Sequence, residues 1–489
     1  MDGAPEKISA FEKRLKRQVI GKPHRFLAVV PLGFEQTFVQ EMLGSSQDSI
    51  TYNIIGDGKV EFTAKLVEAW KIVAFSRIAN RILMHIADFK AENFRDLERK
   101  ASEIPWELFL PNERSVHIHV TCKHSRLYHS DAVAERLYKV IEGGSLPLAS
   151  ATSSWRAATR HLAVSSATPS PKGSTPNTPK AEENVPPQNI YVTLIDDRCT
   201  VWLDLAGEEL YKRGHERFVN SAPLKETIAS AMIFESISIS SSESSNISHS
   251  TSHTTHPTSH IALIDPMSGS GTFSLEAAYM ANGFIPGKCR DFALMHQPAF
   301  KQATWDFLIR REERHPEQRE GSRADVYTKP IHKIITSDIS EKAIGIIRHN
   351  VECSPLATVA PVGTALNPQH RDFFSYSAAE IADACPEGSS PVIVLNPPYG
   401  KRLDFDAPKL YTKIGKKLAE LARELSPLGK PLTVAILAPK DDPRPGTKYT
   451  CTANLLRECP ALDADKNPDT KCIVTSHGGL SLNAIFAKI

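Results

Sequence analysis

The sequence predicts an α/β fold, with an open and mainly parallel sheet in its C-terminal half and a smaller α+β region ahead of it. Two stretches carry most of that expectation. In IALIDPMSGSGTF (Ile261–Phe273), the four apolar residues Ile261 to Ile264 suit a strand buried on both faces of a parallel sheet. Asp265-Pro266 ends the run, and Gly269 and Gly271 with small Ser268 and Ser270 form a tight turn. Phe273, Leu275, Ala277, Ala278 and Met280 then continue as a helix. Glycines there let backbone N–H groups approach a ligand at the C-terminal edge of the sheet, where open α/β folds bind cofactors. In PVIVLNPPYGKRL (Pro391–Leu403), a second apolar strand, Val392 to Leu395, breaks at Asn396-Pro397-Pro398-Tyr399. Consecutive prolines forbid a helix and stiffen the chain. The Asn396 side-chain carbonyl and the Pro397 backbone carbonyl can then both accept from one planar NH2 group. Tyr399 offers a flat face on which a base can stack. The two halves read as a cofactor site facing a base site.

The elements ahead of these follow in order. Residues 1–24 read as a flexible lead-in, with Lys13, Arg14, Lys16 and Arg17 as a solvated tail or an RNA patch. Residues 25–90 alternate strand 26–30, helix 35–43, strands 50–55 and 59–63 around the Gly56-Asp57-Gly58 turn, a helix bearing Leu66, Val67, Trp70, Val73 and Ala74, and strand 81–86. That alternation predicts a small α+β unit. Residues 91–205 continue with helix 94–101, strand 115–121, helix 130–141 and strands 190–195 and 199–204. Within them, residues 145–188 are too rich in Ser, Thr, Pro and Ala to build a core and read as disordered. His117 and His119 alternate onto one strand face and, with His124 and His129, read as surface histidines rather than metal ligands.

Residues 206–489 form the expected catalytic domain. A helix over 223–233 precedes a Ser/Thr/His-rich insert at 236–260, whose His249, His253, His256 and His260 read as part of a tolerated loop. After the Gly turn, the charged segment 290–324 is anchored by Phe292 and Trp305. Strand 331–336 ends near Asp338, and Ser340 caps a helix that buries Ala343, Ile347 and Val351. Leu410, Ile414, Leu418, Leu421 and Leu425 give helix 409–425 an apolar stripe. Strands 432–437, 472–475 and 484–487 complete the sheet, the last two as an antiparallel pair.

These pieces resemble the THUMP-domain methyltransferases that place an N2-methyl on guanosine in large-subunit ribosomal RNA. The resemblance rests on IPWELFLP (Ile104–Pro111), LYHSDAVAERL (Leu127–Leu137), LYKRGHER and APLKE (within Leu210–Glu226), DPMSGSGT (Asp265–Thr272), SDIS (Ser337–Ser340) and NPPYGKRL (Asn396–Leu403). It implies a Rossmann-like S-adenosylmethionine methyltransferase domain preceded by a ferredoxin-like unit and a THUMP RNA-binding region at 91–205. The cofactor would be S-adenosyl-L-methionine, held by Asp265, Met267, Gly269, Gly271, Thr272, Asp338 and Asp372. Asp338 would take the ribose hydroxyls, Asp265 the methionine ammonium, and Asp372 the adenine amine. Asn396, Pro397, Pro398 and Tyr399 would hold the target base. Lys225 and Arg213 would meet the cofactor carboxylate or RNA phosphate. The family usually carries Cys where this chain has Ser268. It uses no metal. The gap from Gly271 to Asp338 far exceeds the usual ~20 residues, which the 290–324 segment explains.

Composition bounds the rest. Across 489 residues, 41% hydrophobic and 23% charged content describes an ordinary globular protein with two or three domains. With 58 basic and 56 acidic residues, the net charge of +2 places any RNA surface in a local patch, with Lys13-Arg14-Lys16-Arg17 and Lys401-Arg402 as candidates. No run of about 18 apolar residues appears, so no membrane span is expected. Eight cysteines without a Cys-x-x-Cys pair suggest neither zinc nor disulfides and fit a reducing, intracellular setting, cytoplasmic first, with mitochondrion or plastid left open. Ribosomal RNA is the first expected partner and transfer RNA the second. A non-catalytic RNA-binding or ribosome-assembly protein is the reading from another class, and DNA N6-adenine methylation shares only the NPPY stretch.

Overall fold

A computed structural model describes residues 9–45, 50–111, 115–143, 186–219, 223–241, 260–314, 331–358, 365–399, 406–441 and 450–489. The chain opens with α1 (Ala10–Leu15), where Ser9 and Glu12 close a reciprocal capping box, and runs on as a π-helical turn to Ile20. Leu15 and Val19 are buried in the main core, so the expected flexible lead-in is a docked helix from residue 10. Lys13, Lys16 and Arg17 are exposed, and Arg14 pairs with Glu107.

Next come β1 (Pro23–Val29), α2 (Glu35–Ser45), β2 (Thr51–Gly56), β3 (Lys59–Lys65), α3 (Leu66–Phe75) and β4 (Arg81–Lys90). Their sheet order β2-β3-β1-β4, with both helices on one face, is the ferredoxin-like arrangement. After it follow α4 (Phe94–Ser102), β5 (Val116–Lys123), α5 (Ser130–Ile141), β6 (Gln188–Ile195) and β7 (Arg198–Asp204). A boundary at residue 90 does not separate two sheets. Because β4 runs on past a bulge between His85 and Ala87 and pairs with β7, one seven-stranded sheet, β2-β3-β1-β4-β7-β6-β5, spans residues 23–204.

The C-terminal part holds α6 (Glu226–Ser241), β8 (His260–Asp265), α7 (Thr272–Ala281), α8 (Gln302–Arg314), β9 (Ile331–Asp338), α9 (Glu341–Glu352), β10 (Gln369–His370), α10 (Ala378–Ala384), β11 (Ser389–Leu395), α11 (Ala407–Leu425), β12 (Thr433–Pro439), α12 (Cys451–Glu458), β13 (Lys471–His477) and β14 (Leu480–Lys488). The expected insert at 236–260 is wrong at its start. Ser236, Ile237 and Ser240 are buried inside α6, and the Ser236 hydroxyl donates to the Met232 carbonyl at 2.7 Å. A small hydroxyl that bonds back to its own helix can be buried at little cost. His260 opens β8, where its ring stacks on His332 at 3.6 Å; His249, His253 and His256 lie outside the described residues, as does the 145–185 part of the other insert.

The second sheet has the order β10-β9-β8-β11-β12-β14-β13, parallel except for β14, which runs antiparallel to both β12 and β13. Phe292 and Trp305 are buried edge to face at 5.8 Å, anchoring the 290–314 segment as expected. One apolar core joins the ferredoxin-like unit to this sheet: Phe34 meets Phe486 at 6.4 Å, and Trp70 meets Phe300 at 5.4 Å. A separate core lies under β5, β6 and β7. Among the described residues no helix is long and apolar enough to cross a membrane.

Candidate active site

Three neighbouring parallel strands deliver the candidate residues to one edge. β8 lies between β9 and β11 and ends at Asp265; β9 ends at Asp338, and β11 leads directly into Asn396. Ile264 pairs with Ile393 and Asp265 with Thr336, so Asp338 and Asn396 each lie two positions beyond Asp265 along the strand direction. The Gly turn is pinned across this edge. Gly269 N–H donates to Asp338 Oδ2 at 2.8 Å, and the Ser268 amide and hydroxyl both donate to the Ser337 carbonyl. Serine at 268 therefore makes a hydroxyl bond of 2.8 Å that a thiol would make weakly. Asp338 Oδ1 accepts from Ser340 N–H at 2.8 Å, and Ser340 caps α9 as expected. Gly271 has φ +80°, and an added Cβ would stand 2.9 Å from Ile347 Cγ1, so both conformation and space require glycine. Thr272 opens α7, and Met267 packs half-buried on the core beneath α11.

Asp265 is 1% exposed. Its Oδ2 accepts from the Ser274 amide at 3.2 Å and hydroxyl at 2.7 Å, while Oδ1 is buried with no partner. Burial pushes the carboxyl up to about 7 against the pull of the Ser274 bonds, and nearby Asp338 pushes the same way. A buried acceptor without a donor costs about 1–3 kcal/mol. A test in the ligand-free protein follows. The folded state holds this proton to a higher pH than the unfolded chain does, so Asp265 erodes stability as pH rises from about 4 towards 7. Asp265→Asn should raise the melting temperature at pH 8 and change it much less at pH 4; a lower melting temperature at pH 8 would contradict this environment.

Asn396 is half-buried and its Oδ1 is likewise buried without a partner. Pro397 is buried and Pro398 exposed. The Tyr399 ring differs from the freely exposed plate expected from sequence: it packs partly buried against the main core, and burial pushes its phenol well above the ordinary range. Lys401 and Arg402 lie outside the described residues. Asp372 caps the short 3-10 turn Phe373–Ser375, its Oδ1 accepting from Phe374 N–H at 3.1 Å beside buried Phe373.

Arg213 is not a ligand contact. It is buried, grips both carboxylate oxygens of Glu276 at 3.1 and 3.0 Å, and donates to the Leu210 and Arg77 carbonyls. Lys225 sits over the Tyr211 ring at 4.7 Å, 3.5 Å from Glu209. Two residues that the sequence gave no reason to single out brace the Gly turn instead. Arg217 donates to Thr272 Oγ1 at 2.5 Å and to Ser270 Oγ at 3.4 Å while pairing with Glu226. Asn350, buried on α9, accepts from Phe218 N–H at 2.7 Å and donates to the Phe218 carbonyl at 2.9 Å and the Ser270 carbonyl at 3.2 Å. Arg217 stood inside a motif already noticed, but Asn350 is an isolated polar residue in a helix and carries no pattern.

Residues 244–429 match the family model described as UPF0020, RMKL-like, methyltransferase domain. Ribosomal RNA large subunit methyltransferase K/L of Psychromonas ingrahamii is 26% identical over 370 residues, which is 73% of this chain and 40% of that protein. The chain thus spans under half the length of that relative. Slr0064 of Synechocystis, a candidate RNA methyltransferase, is 25% identical over 401 residues, covering 81% of this chain and 86% of its own. Among solved structures, the candidate methyltransferase SMU.472 complexed with SAH aligns with a TM-score of 0.62 at 21% identity, over 96% of this chain and 98% of that one. That likeness is one of fold.

Proposed function

We propose that the chain, whose residues 244–429 match the RMKL-like methyltransferase domain, transfers a methyl group from S-adenosylmethionine to the exocyclic N2 amine of a guanosine in large-subunit ribosomal RNA. The observation that carries the reading is the pair of orphaned acceptors, Asp265 Oδ1 and Asn396 Oδ1, at the ends of adjacent strands. One fits an ammonium and the other an amine.

The residues present fit the cofactor. Asp265 would take its ammonium, Asp338 its ribose hydroxyls, and Asp372 its adenine amine, around a turn that Gly269 and Gly271 keep free of side chains. Each Asp338 oxygen uses one lone pair on a backbone N–H and retains another for a hydroxyl. When bound, the cofactor supplies an electrophilic methyl on a sulfonium. An exocyclic amine is a poor nucleophile because its lone pair is conjugated into the ring. Asn396 Oδ1 and the Pro397 carbonyl would accept its two N–H bonds and aim the nitrogen, so that catalysis is chiefly positioning. No ionised general base is required. A paired base must first leave its stack at a cost of a few kcal/mol, and Tyr399 would return part of that by stacking.

Large-subunit rRNA is favoured over tRNA by the K/L relatives, and residues 25–205 would supply most of the RNA affinity as a ferredoxin-like and THUMP region. Calorimetry should show S-adenosylmethionine binding to wild type and at least about 10-fold weaker binding to Asp338→Ala, the cost of two lost charge-assisted hydrogen bonds. Equal affinity would remove Asp338 from the cofactor site.

A further inference from the structure

We propose that Ser274 and Thr336 are positioning residues for the cofactor. They form a buried hydroxyl relay, Thr336 to Ser274 to Asp265, that confines the Asp265 proton to the oxygen assigned to the cofactor's ammonium, so that S-adenosylmethionine binds with release of a proton. This deepens the cofactor reading above and rests on it.

The relay joins two neighbouring strands through a helix. Asp265 ends β8 and pairs in register with Thr336 on β9, while Ser274 stands in the first turn of α7. Thr336 Oγ1 donates to Ser274 Oγ at 2.8 Å, and Ser274 Oγ donates to Asp265 Oδ2 at 2.7 Å. The direction is forced. An ionised carboxylate only accepts, so the single Ser274 proton is committed to Asp265, and Thr336 must supply the proton between the two hydroxyls. All three side chains are buried, so the bonds are shielded from solvent. The Ser274 amide, at the positive end of α7, is a second donor to the same Oδ2.

Those two donors decide where an acidic proton resides. They occupy Oδ2, whereas Oδ1 is buried with no partner. The neutral carboxyl therefore carries its proton on Oδ1, where the ammonium would bind. An O–H and an N–H cannot both donate into that place, so the ammonium displaces the proton to solvent and pairs with the carboxylate. Burial holds the free carboxyl at about 7, which puts this exchange in the neutral range. From β9, Asp338 acts on the group and favours the proton. On α7, Glu276 is held by Arg213; beside the Gly turn, Arg217 pairs with Glu226. Strand β11 carries no ionisable side chain. The hydroxyl relay is thus the local counterweight to burial and to Asp338. Because the ammonium lowers the bound-state value, affinity is full above about pH 7 and is lost as pH falls below it.

The test is calorimetry of S-adenosylmethionine binding to the full chain from about pH 5.5 to about pH 7.5, in buffers of different ionisation enthalpy that count the protons released. Wild-type affinity should fall at least about 10-fold across that range, with close to one proton released at the acid end. Asp265→Asn should bind weakly and release none. Ser274→Ala loses a charge-assisted bond, which raises the free carboxyl by about one pH unit. At the pH where wild type releases half a proton, Ser274→Ala should therefore release about 0.9. Thr336→Val, which keeps the shape and removes only the hydroxyl, should fall between the two, because neighbouring bonds polarise one another in part. Thr336→Ser should match wild type. Wild-type proton release in folded Ser274→Ala or Thr336→Val, or cofactor binding without proton release anywhere in the range, would overturn the relay and leave the methyl-transfer reading standing. A protein that binds no S-adenosylmethionine at any pH would instead sink the cofactor reading itself, and the relay with it.

Discussion

Asn396→Ala is expected to lower the single-turnover methylation rate by about 10²–10³-fold while leaving S-adenosylmethionine affinity within about 2-fold. The rate estimate is that for losing one preorganised hydrogen-bonding group at a reacting centre. The substitution removes the buried Oδ1 that has no partner in the free protein, and nothing else at the Gly turn depends on it. Asn396→Asp keeps acceptors in place and should restore part of the rate. Tyr399→Phe retains the ring that packs partly buried against the core and should keep most activity, whereas Tyr399→Ala should lose both base capture and rate. A wild-type rate in Asn396→Ala would remove positioning by this residue from the mechanism.

The second large effect is on stability. Arg213→Met should destabilise the protein by about 3–5 kcal/mol, because it leaves the Glu276 carboxylate buried without its principal partner. Glu276 is 1% exposed and lies on α7, the helix that the Gly turn opens. Arg77 stands 3.9 Å from it and donates to the Tyr279 and Phe284 carbonyls, so the same cluster ties the ferredoxin-like unit to the C-terminal part. Arg14→Ala, which breaks a pair exposed on both sides, should cost well under about 1 kcal/mol. Urea unfolding of both variants makes the comparison. A small loss in Arg213→Met would mean that Glu276 is served by other groups.

The two sequence stretches that suggested the site do meet in space, because each is a buried strand followed by a rigid loop and both strands lie side by side in a parallel sheet. That was legible from apolar runs, glycines and prolines alone. Arg213 was misplaced for a definite reason: a lone arginine in a polar segment reads as a surface cation, and its partner Glu276 is 63 residues away. Ser236 and Ser240 read as low-complexity sequence because hydroxyl-rich composition says nothing about a helix that tertiary packing buries. The joining of two N-terminal units into one sheet depends on β4 pairing with β7, more than 100 residues later, across a bulge.

Methyl transfer to a defined atom tests the central claim most directly. Purified protein, S-adenosylmethionine carrying a labelled methyl, and undermodified ribosomal RNA should be combined in single turnover, with tRNA in parallel, and the labelled nucleoside identified by digestion and mass spectrometry. The expected result is one N2-methylguanosine in large-subunit rRNA, formed far more slowly with Asn396→Ala. Label on an adenine, label in tRNA alone, or no transfer by a protein that binds the cofactor would contradict it.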